Sequence, residues 1–191
     1  MAVLWDLDGT LIDTADLHVY AFVEALKKMG YDVKEEHIEA FRKSLGKRFI
    51  EIIRSVFPNM PEEDMERLKE LRREIVLSRL DLIRPLPPAK LLPIVRKYCP
   101  IGLVTSSNRV FTKAVLRKFG WRFDVVVTGD DVEHGKPHPE PILLAMKILG
   151  VNRAYLIGDT EYDKICAERA GIGFIHAKEA ERILDILKSM L

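Results

Sequence analysis

The sequence predicts an α/β fold, a doubly wound parallel sheet with a small all-helical domain inserted near its start. Short runs that are almost continuously apolar recur along the chain, as strands buried on both faces require. Longer segments with apolar residues at helical spacing alternate with them, the order expected when helices cover both faces of a parallel sheet. Over residues 13–82 the alternation stops and only helical patterns remain. The expected domains are therefore a core of residues 1–12 and 83–191 and a helical insert of residues 13–82.

Residues 2–7 form the first expected strand, closed by Asp8-Gly9. In residues 14–29 the apolar positions Leu17, Tyr20, Ala21, Val23 and Leu26 follow helical spacing, and Gly30 stops that helix. Residues 35–43 and 47–57 read as two more helices. A longer one opens at Pro61-Glu62-Glu63-Asp64, where proline at the first helical position and acids in the first turn suit a helix start. Pro85, Pro87 and Pro88 break the pattern and mark a boundary. Beyond it, strands are expected at 101–105, 124–128, 154–157 and 172–175. Helices are expected at 89–97, 110–119, 139–149, 162–170 and 178–190.

With 191 residues, 48% hydrophobic and 31% charged, the chain has the composition of an ordinary globular protein. Its net charge is +1 with acids and bases intermixed, so neither a nucleic acid nor a membrane surface is an expected partner. No apolar run approaches the roughly 18 residues of a membrane-spanning helix. The N-terminus shows no basic and apolar leader, and a cytoplasmic location is expected. Cys99 and Cys166 lie far apart without C-x-x-C spacing and read as reduced, mostly buried thiols rather than a disulfide. Nothing in the sequence favours a dimer over a monomer.

In parallel α/β sheets, ligands bind beyond the carboxyl ends of the strands. Polar residues gather at those ends four times. The first strand ends in Asp6 and Asp8, two apart beside Gly9. Two close carboxylates raise one another's pKa, and a hard oxygen-seeking cation such as Mg²⁺ relieves that conflict. A capped turn is the plainer explanation of this pair. The run Thr105-Ser106-Ser107-Asn108 follows the second core strand and could cradle a phosphate with hydroxyl and N–H groups. It could equally supply an N-cap through Ser107 or Asn108. Lys136, held between Gly135 and Pro137, offers one compact positive charge, although most lysines on loops are simply solvated. Asp159 and Asp163 stand at the start of a helix with spacing that lets both face one site, unless Asp159 is a helix cap.

Taken together, the order and residue types of these clusters resemble the haloacid dehalogenase superfamily of phosphatases and phosphotransferases. Asp6-Leu7-Asp8-Gly9-Thr10-Leu11 corresponds to its first motif, Thr105-Ser106 to the second, Lys136 to the third, and Gly158-Asp159 with Asp163 to the fourth. The resemblance covers essentially the whole chain and implies a Rossmann-like core with a helical cap of the family's first type. The stretch Gly135-Lys136-Pro137-His138-Pro139-Glu140-Pro141 looks like the phosphoglycolate phosphatase and β-phosphoglucomutase branch.

That resemblance implies a Mg²⁺-dependent reaction on a small phosphorylated metabolite. Asp6 would be the nucleophile that becomes an aspartyl phosphate, and Asp8 the general acid and base. Mg²⁺ would be held by Asp6, Asp159 and the Asp8 backbone carbonyl, with Asp163 acting on a metal-bound water or on Lys136. Thr105 and the Ser106 N–H would hold phosphoryl oxygens, and Lys136 would balance charge on the nucleophile and the transferring group. In the cap, which would close over the site, His18 stands where the mutase branch carries a residue near the acid/base; a helix-surface histidine bonded to a neighbour is the plainer reading. Arg48 could reach a substrate anion, or be a surface charge. Ser106 stands where many members carry Asn, and Pro88-Ala89 replaces the usual Pro-Gly. Gly158-Asp159, where the mutase branch tends to carry Glu-Asp, favours hydrolysis over phosphoryl transfer between sugars. A phosphomutase on the same scaffold is the alternative, and a phospho-receiver module a remote one.

Overall fold

The structure, a computed structural model, describes residues 1–44 and 49–189. The first strand, β1 (Ala2–Trp5), is buried along its whole length. A tight turn follows, in which Leu7 accepts N–H bonds from Leu11 and Ile12, and the chain enters the two-residue strand β2 (Ile12–Asp13). Four helices come next: α1 (Ala15–Lys28), α2 (Glu35–Ser44), α3 (Phe49–Val56) and α4 (Glu62–Ser78). The chain then forms β3 (Arg84–Pro85), a 3₁₀ segment at Pro87–Leu91 and the single turn α5 (Leu92–Val95). The remainder alternates: β4 (Ile101–Val104), α6 (Arg109–Phe119), β5 (Val125–Val127), α7 (Glu140–Leu149), β6 (Ala154–Gly158), α8 (Glu161–Arg169), β7 (Gly173–His176) and α9 (Arg182–Lys188).

The chain forms two compact units, Met1–Asp13 with Arg84–Leu191, and Thr14–Ile83. In the first, the described residues form a five-stranded sheet in the order β5-β4-β1-β6-β7. Every pairing in it is parallel, with Val3 of β1 opposite Ile101 on one side and Tyr155 on the other. From β1 the chain runs outward through β4 and β5, then crosses to β6 and β7 on the other side. The connections therefore diverge at β1, and the crevice of such a sheet opens at that strand's carboxyl end. Apolar strands pack against α7 and α8 through residues such as Leu4, Val104, Ile142, Leu156 and Ala167. Fully burying one such leucine or isoleucine contributes about 1.5–3 kcal/mol.

The second unit is helical, and its interior is built on aromatics. Phe22 stacks on Phe41 with ring centroids 4.8 Å apart, and the Arg72 guanidinium lies 4.4 Å from the Phe22 centroid. Among the described residues, no helix is long and apolar enough to cross a membrane. Cys99 and Cys166 are both free thiols; Cys166 is buried and Cys99 half-buried.

The structure departs from the sequence pattern in three places. Residues 89–97 are not one helix but a 3₁₀ segment and one α-turn, because Pro87, Pro88 and Pro93 supply no N–H to a continuous helical ladder. The expected last helix is likewise divided, into a 3₁₀ turn at Ala177–Glu179 and α9. The ribbon of β2 and β3, with Ile12 opposite Pro85 and Asp13 opposite Arg84, has no counterpart in the sequence reading. Two-residue strands show no alternation, and proline is acceptable in such an edge pairing.

Candidate active site

The site is assembled where β1, β4 and β6 end. Asp6 directly follows β1 and is only 6% exposed. Lys136 arrives from the loop between β5 and α7, with its side chain 6% exposed. Its ammonium has three protons and three acceptors: Asp6 Oδ1 at 2.5 Å, Asp163 Oδ1 at 2.6 Å and the Val104 carbonyl at 3.1 Å. One lysine thus ties together the ends of β1 and β4 and the first turn of α8. Burial alone would disfavour its charge, but the two carboxylates outweigh that and hold its pKa above the ordinary lysine value.

Burial is also the largest influence on Asp6 and pushes its carboxyl up, to about 7, against the opposing pull of Lys136. Asp163 and Asp8 add to the upward push. The Asp159 carboxyl is raised as well, chiefly by burial, while the Thr10 hydroxyl opposes the rise. Thr10 is fully buried, and its Oγ1 lies 3.0 Å from Asp159 Oδ1 and 3.3 Å from Asp6 Oδ2. Asp8 sits in the turn after β1, half-buried, and its Oδ2 accepts a 2.7 Å bond from the Ser107 hydroxyl.

The first turn of α8 has its own logic. Thr160, not Asp159, is the N-cap: its Oγ1 accepts the Asp163 N–H, and Asp163 Oδ2 accepts the Thr160 N–H at 3.1 Å. This reciprocal cap satisfies donors at the helix start and fixes the Asp163 rotamer. With Oδ2 committed to Thr160 and Oδ1 to Lys136, Asp163 is a positioning group for the lysine. Asp159, two residues before the helix, brings a carboxylate oxygen within 4.8 Å of one from Asp6.

Thr105 follows β4, is 3% exposed, and accepts the Ser107 N–H on its hydroxyl at 3.0 Å. Ser106 is exposed beside it, and Asn108 caps α6 by accepting the Phe111 N–H at 2.9 Å. His18 belongs to the helical unit, half-buried on α1, with Nδ1 2.9 Å from an Arg72 nitrogen. Arg48 lies outside the described residues. The structure therefore brings together Asp6, Lys136, Asp159 and Asp163 around one point, with Asp8, Ser107 and Thr105 on the adjoining turns. Thr10 and Ser107 were not singled out for these contacts in the sequence. Thr10 stands in the first motif, yet its bond to a residue 149 positions away has no local signature.

The donor set fits a divalent cation. One carboxylate oxygen from each of Asp6, Asp159 and Asp163 lies within 4.8 Å of the others. Lys136 bonds two of these carboxylates, Asp6 and Asp163, and burial penalises the charge on Asp6 and Asp159. Hard oxygen donors with surplus negative charge are what Mg²⁺ takes.

Gly9 shows how tightly this is built. Its φ is +81°, and a Cβ there would lie 2.2 Å from Asp159 Oδ2. Gly9→Ala is expected to cost about 1–2 kcal/mol in backbone strain and to displace Asp159. The check is divalent-cation binding by calorimetry, in which the variant should bind about tenfold more weakly.

Comparison with known proteins agrees with this construction. Residues 3–177 match the family described as haloacid dehalogenase-like hydrolase. The chain is 33% identical over 203 residues to a Dickeya dadantii protein named "Probable phosphatase IndB", covering 98% of this chain and 85% of that one. It is 31% identical over 175 residues to the pyrophosphatase PpaX of Bacillus cereus, covering 88% and 79%. Among solved structures it resembles CbbY from Rhodobacter sphaeroides in complex with phosphate, with a TM-score of 0.73 and 25% identity over 92% of this chain and 84% of that one. By sequence match, sheet order and fold, this chain belongs to the haloacid dehalogenase-like hydrolase family.

Proposed function

We propose that this haloacid dehalogenase-like phosphatase hydrolyses the phosphate ester of a small metabolite in two steps through Asp6. The observation that carries this reading is the buried Asp6 carboxylate at the end of the central strand, held through Oδ1 by Lys136. In the first step an Asp6 oxygen attacks phosphorus, the bond from phosphorus to the leaving oxygen breaks, and Asp8 gives that oxygen its proton. In the second, Asp8 takes a proton from water as the water oxygen attacks the phosphorylated Asp6, releasing inorganic phosphate and restoring the carboxylate. The division of labour suits the environments: Asp6 is buried and paired with an ammonium, whereas Asp8 is half-buried and bonded to a hydroxyl. Thr105 and the Ser106 N–H are the groups for the phosphoryl oxygens, and Lys136 offsets charge during transfer.

Mg²⁺ would be held by the carboxylates of Asp6 and Asp159 with the Asp8 backbone carbonyl, while Asp163 holds Lys136. When bound, it supplies Lewis-acid neutralisation of phosphoryl charge. This predicts a pH-linked effect on stability. Between the ordinary aspartate value and about 7, the folded cation-free protein retains a proton on Asp6 that the unfolded chain has lost. Stability of the EDTA-treated protein should therefore fall as pH rises through that window. Mg²⁺ displaces the proton, so it should raise the melting midpoint more at about pH 8 than at about pH 5. Differential scanning fluorimetry with and without Mg²⁺ checks this.

Phosphate release from a panel of small phosphomonoesters, with Mg²⁺ or EDTA, tests the main reading. Metal-dependent release with one preferred ester is the expected result. Inorganic pyrophosphate belongs in the panel because of the relative named pyrophosphatase. If the panel yields no phosphate while the folded protein accepts a phosphoryl group from a donor, the phosphomutase reading replaces hydrolysis.

A further inference from the structure

The loop between β5 and α7 carries two chemistries on one short stretch. Lys136 is directed inward, while His134 and His138 on either side of it have side chains 58% and 50% exposed. The two imidazoles lie beside each other with ring centroids 4.8 Å apart. Glu140, the first residue of α7, faces both: its Oε2 is 3.1 Å from His134 Nδ1 and 3.9 Å from His138 Nδ1. One ligand atom from each of the three residues lies within 4.8 Å of the others.

We propose that His134, His138 and Glu140 form a binding site for a divalent transition-metal ion of the zinc class, separate from the aspartate cluster. Two imidazole nitrogens and one carboxylate suit Zn²⁺, whereas Mg²⁺ prefers oxygen donors throughout. A tetrahedral ion with bonds of about 2.0–2.1 Å needs ligand atoms roughly 3.3 Å apart. Closing the remaining gap would take rotation of the two exposed imidazoles, and water would complete the shell from the solvent side.

Glu140 is already prepared as a ligand. Its carboxylate accepts the Glu133 and His134 N–H groups, each at 2.9 Å, and these bonds hold its pKa below the ordinary glutamate value. It is thus oriented before any metal arrives. Without a metal the loop is pinned by Glu140 and by both rings, His134 Nδ1 lying 3.1 Å from Glu140 Oε2 and His138 Nδ1 accepting the Glu140 N–H at 3.2 Å. The pairing of two histidine rings around one carboxylate is what points to a metal. The ion would join the residues two before and two after Lys136, stapling the loop that delivers this lysine to Asp6.

The test is calorimetric titration of Zn²⁺ into the full chain in excess Mg²⁺, added to compete for the aspartate cluster. Saturable uptake of one Zn²⁺ per chain is expected, weakened about tenfold or more in the His134→Ala/His138→Ala double variant. A second measurement needs no variant: of the five histidines, Zn²⁺ should shift the imidazole NMR signals of His134 and His138 selectively. Absence of saturable uptake, equal Zn²⁺ affinity in the double variant, or shifts confined to other histidines would overturn the proposal. None of these readouts depends on turnover, so failure here is distinguishable from failure of the phosphatase reading.

Discussion

Asp6→Asn should reduce phosphate release by on the order of 10⁴-fold or more while leaving a folded protein. Asparagine nearly reproduces the shape of aspartate, and its carbonyl oxygen can still accept the Lys136 bond now made at 2.5 Å. What it lacks is an ionised oxygen that can attack phosphorus and leave again. Burial pushes the Asp6 carboxyl up, so removing the charge relieves a desolvation cost, and the melting midpoint of the EDTA-treated variant should hold or rise. Mass spectrometry after incubation with a phosphoryl donor should find a phosphorylated wild type and an unmodified variant. Mg²⁺-dependent turnover retained by Asp6→Asn would remove Asp6 from the role of nucleophile.

Lys136→Met should be strongly destabilising. Methionine fills similar space but leaves Asp6 and Asp163, 6% and 1% exposed, without the ammonium they share. Removing one partner from a buried ion pair costs about 3–5 kcal/mol, because the remaining charge has lost both water and its counterion. For a chain of this length that corresponds to a fall in melting midpoint on the order of 10 °C. Turnover should drop by about 10²–10³-fold through loss of charge stabilisation during transfer. Mg²⁺ should restore more of the midpoint in this variant than in the wild type, since it neutralises the same carboxylates. An unchanged midpoint in EDTA would mean that the lysine does not balance these charges.

Much of the architecture was legible in the sequence because it follows from local rules. Strands buried on both faces must be apolar throughout, and β1 and β4 are fully buried. The helical periodicity of residues 14–29 and the breaker at Gly30 are equally local, and α1 ends one residue short of Met29. Asp6, Asp8, Thr105 and Asp159 could be singled out because each lies at or just beyond the carboxyl end of an expected strand. Lys136 was harder, since a lysine between glycine and proline looks like any loop lysine until its partners are known.

The remaining features depend on which loops converge, and that follows from the order in which strands pair. Ser107 meets Asp8 across 99 positions because β4 pairs with β1, and Lys136 meets Asp6 across 130 from the loop after β5, one strand further out. Thr160 rather than Asp159 caps α8 because the reciprocal bonds with Asp163 need the residue three before it. The β2–β3 ribbon was invisible because two residues carry no period, and because its pairing is set by where the chain returns at Arg84. Residue type and spacing report burial and turns, which act over a few residues. Hydrogen-bond partners brought together by the sheet are fixed by long-range closure, which has no imprint on either segment alone.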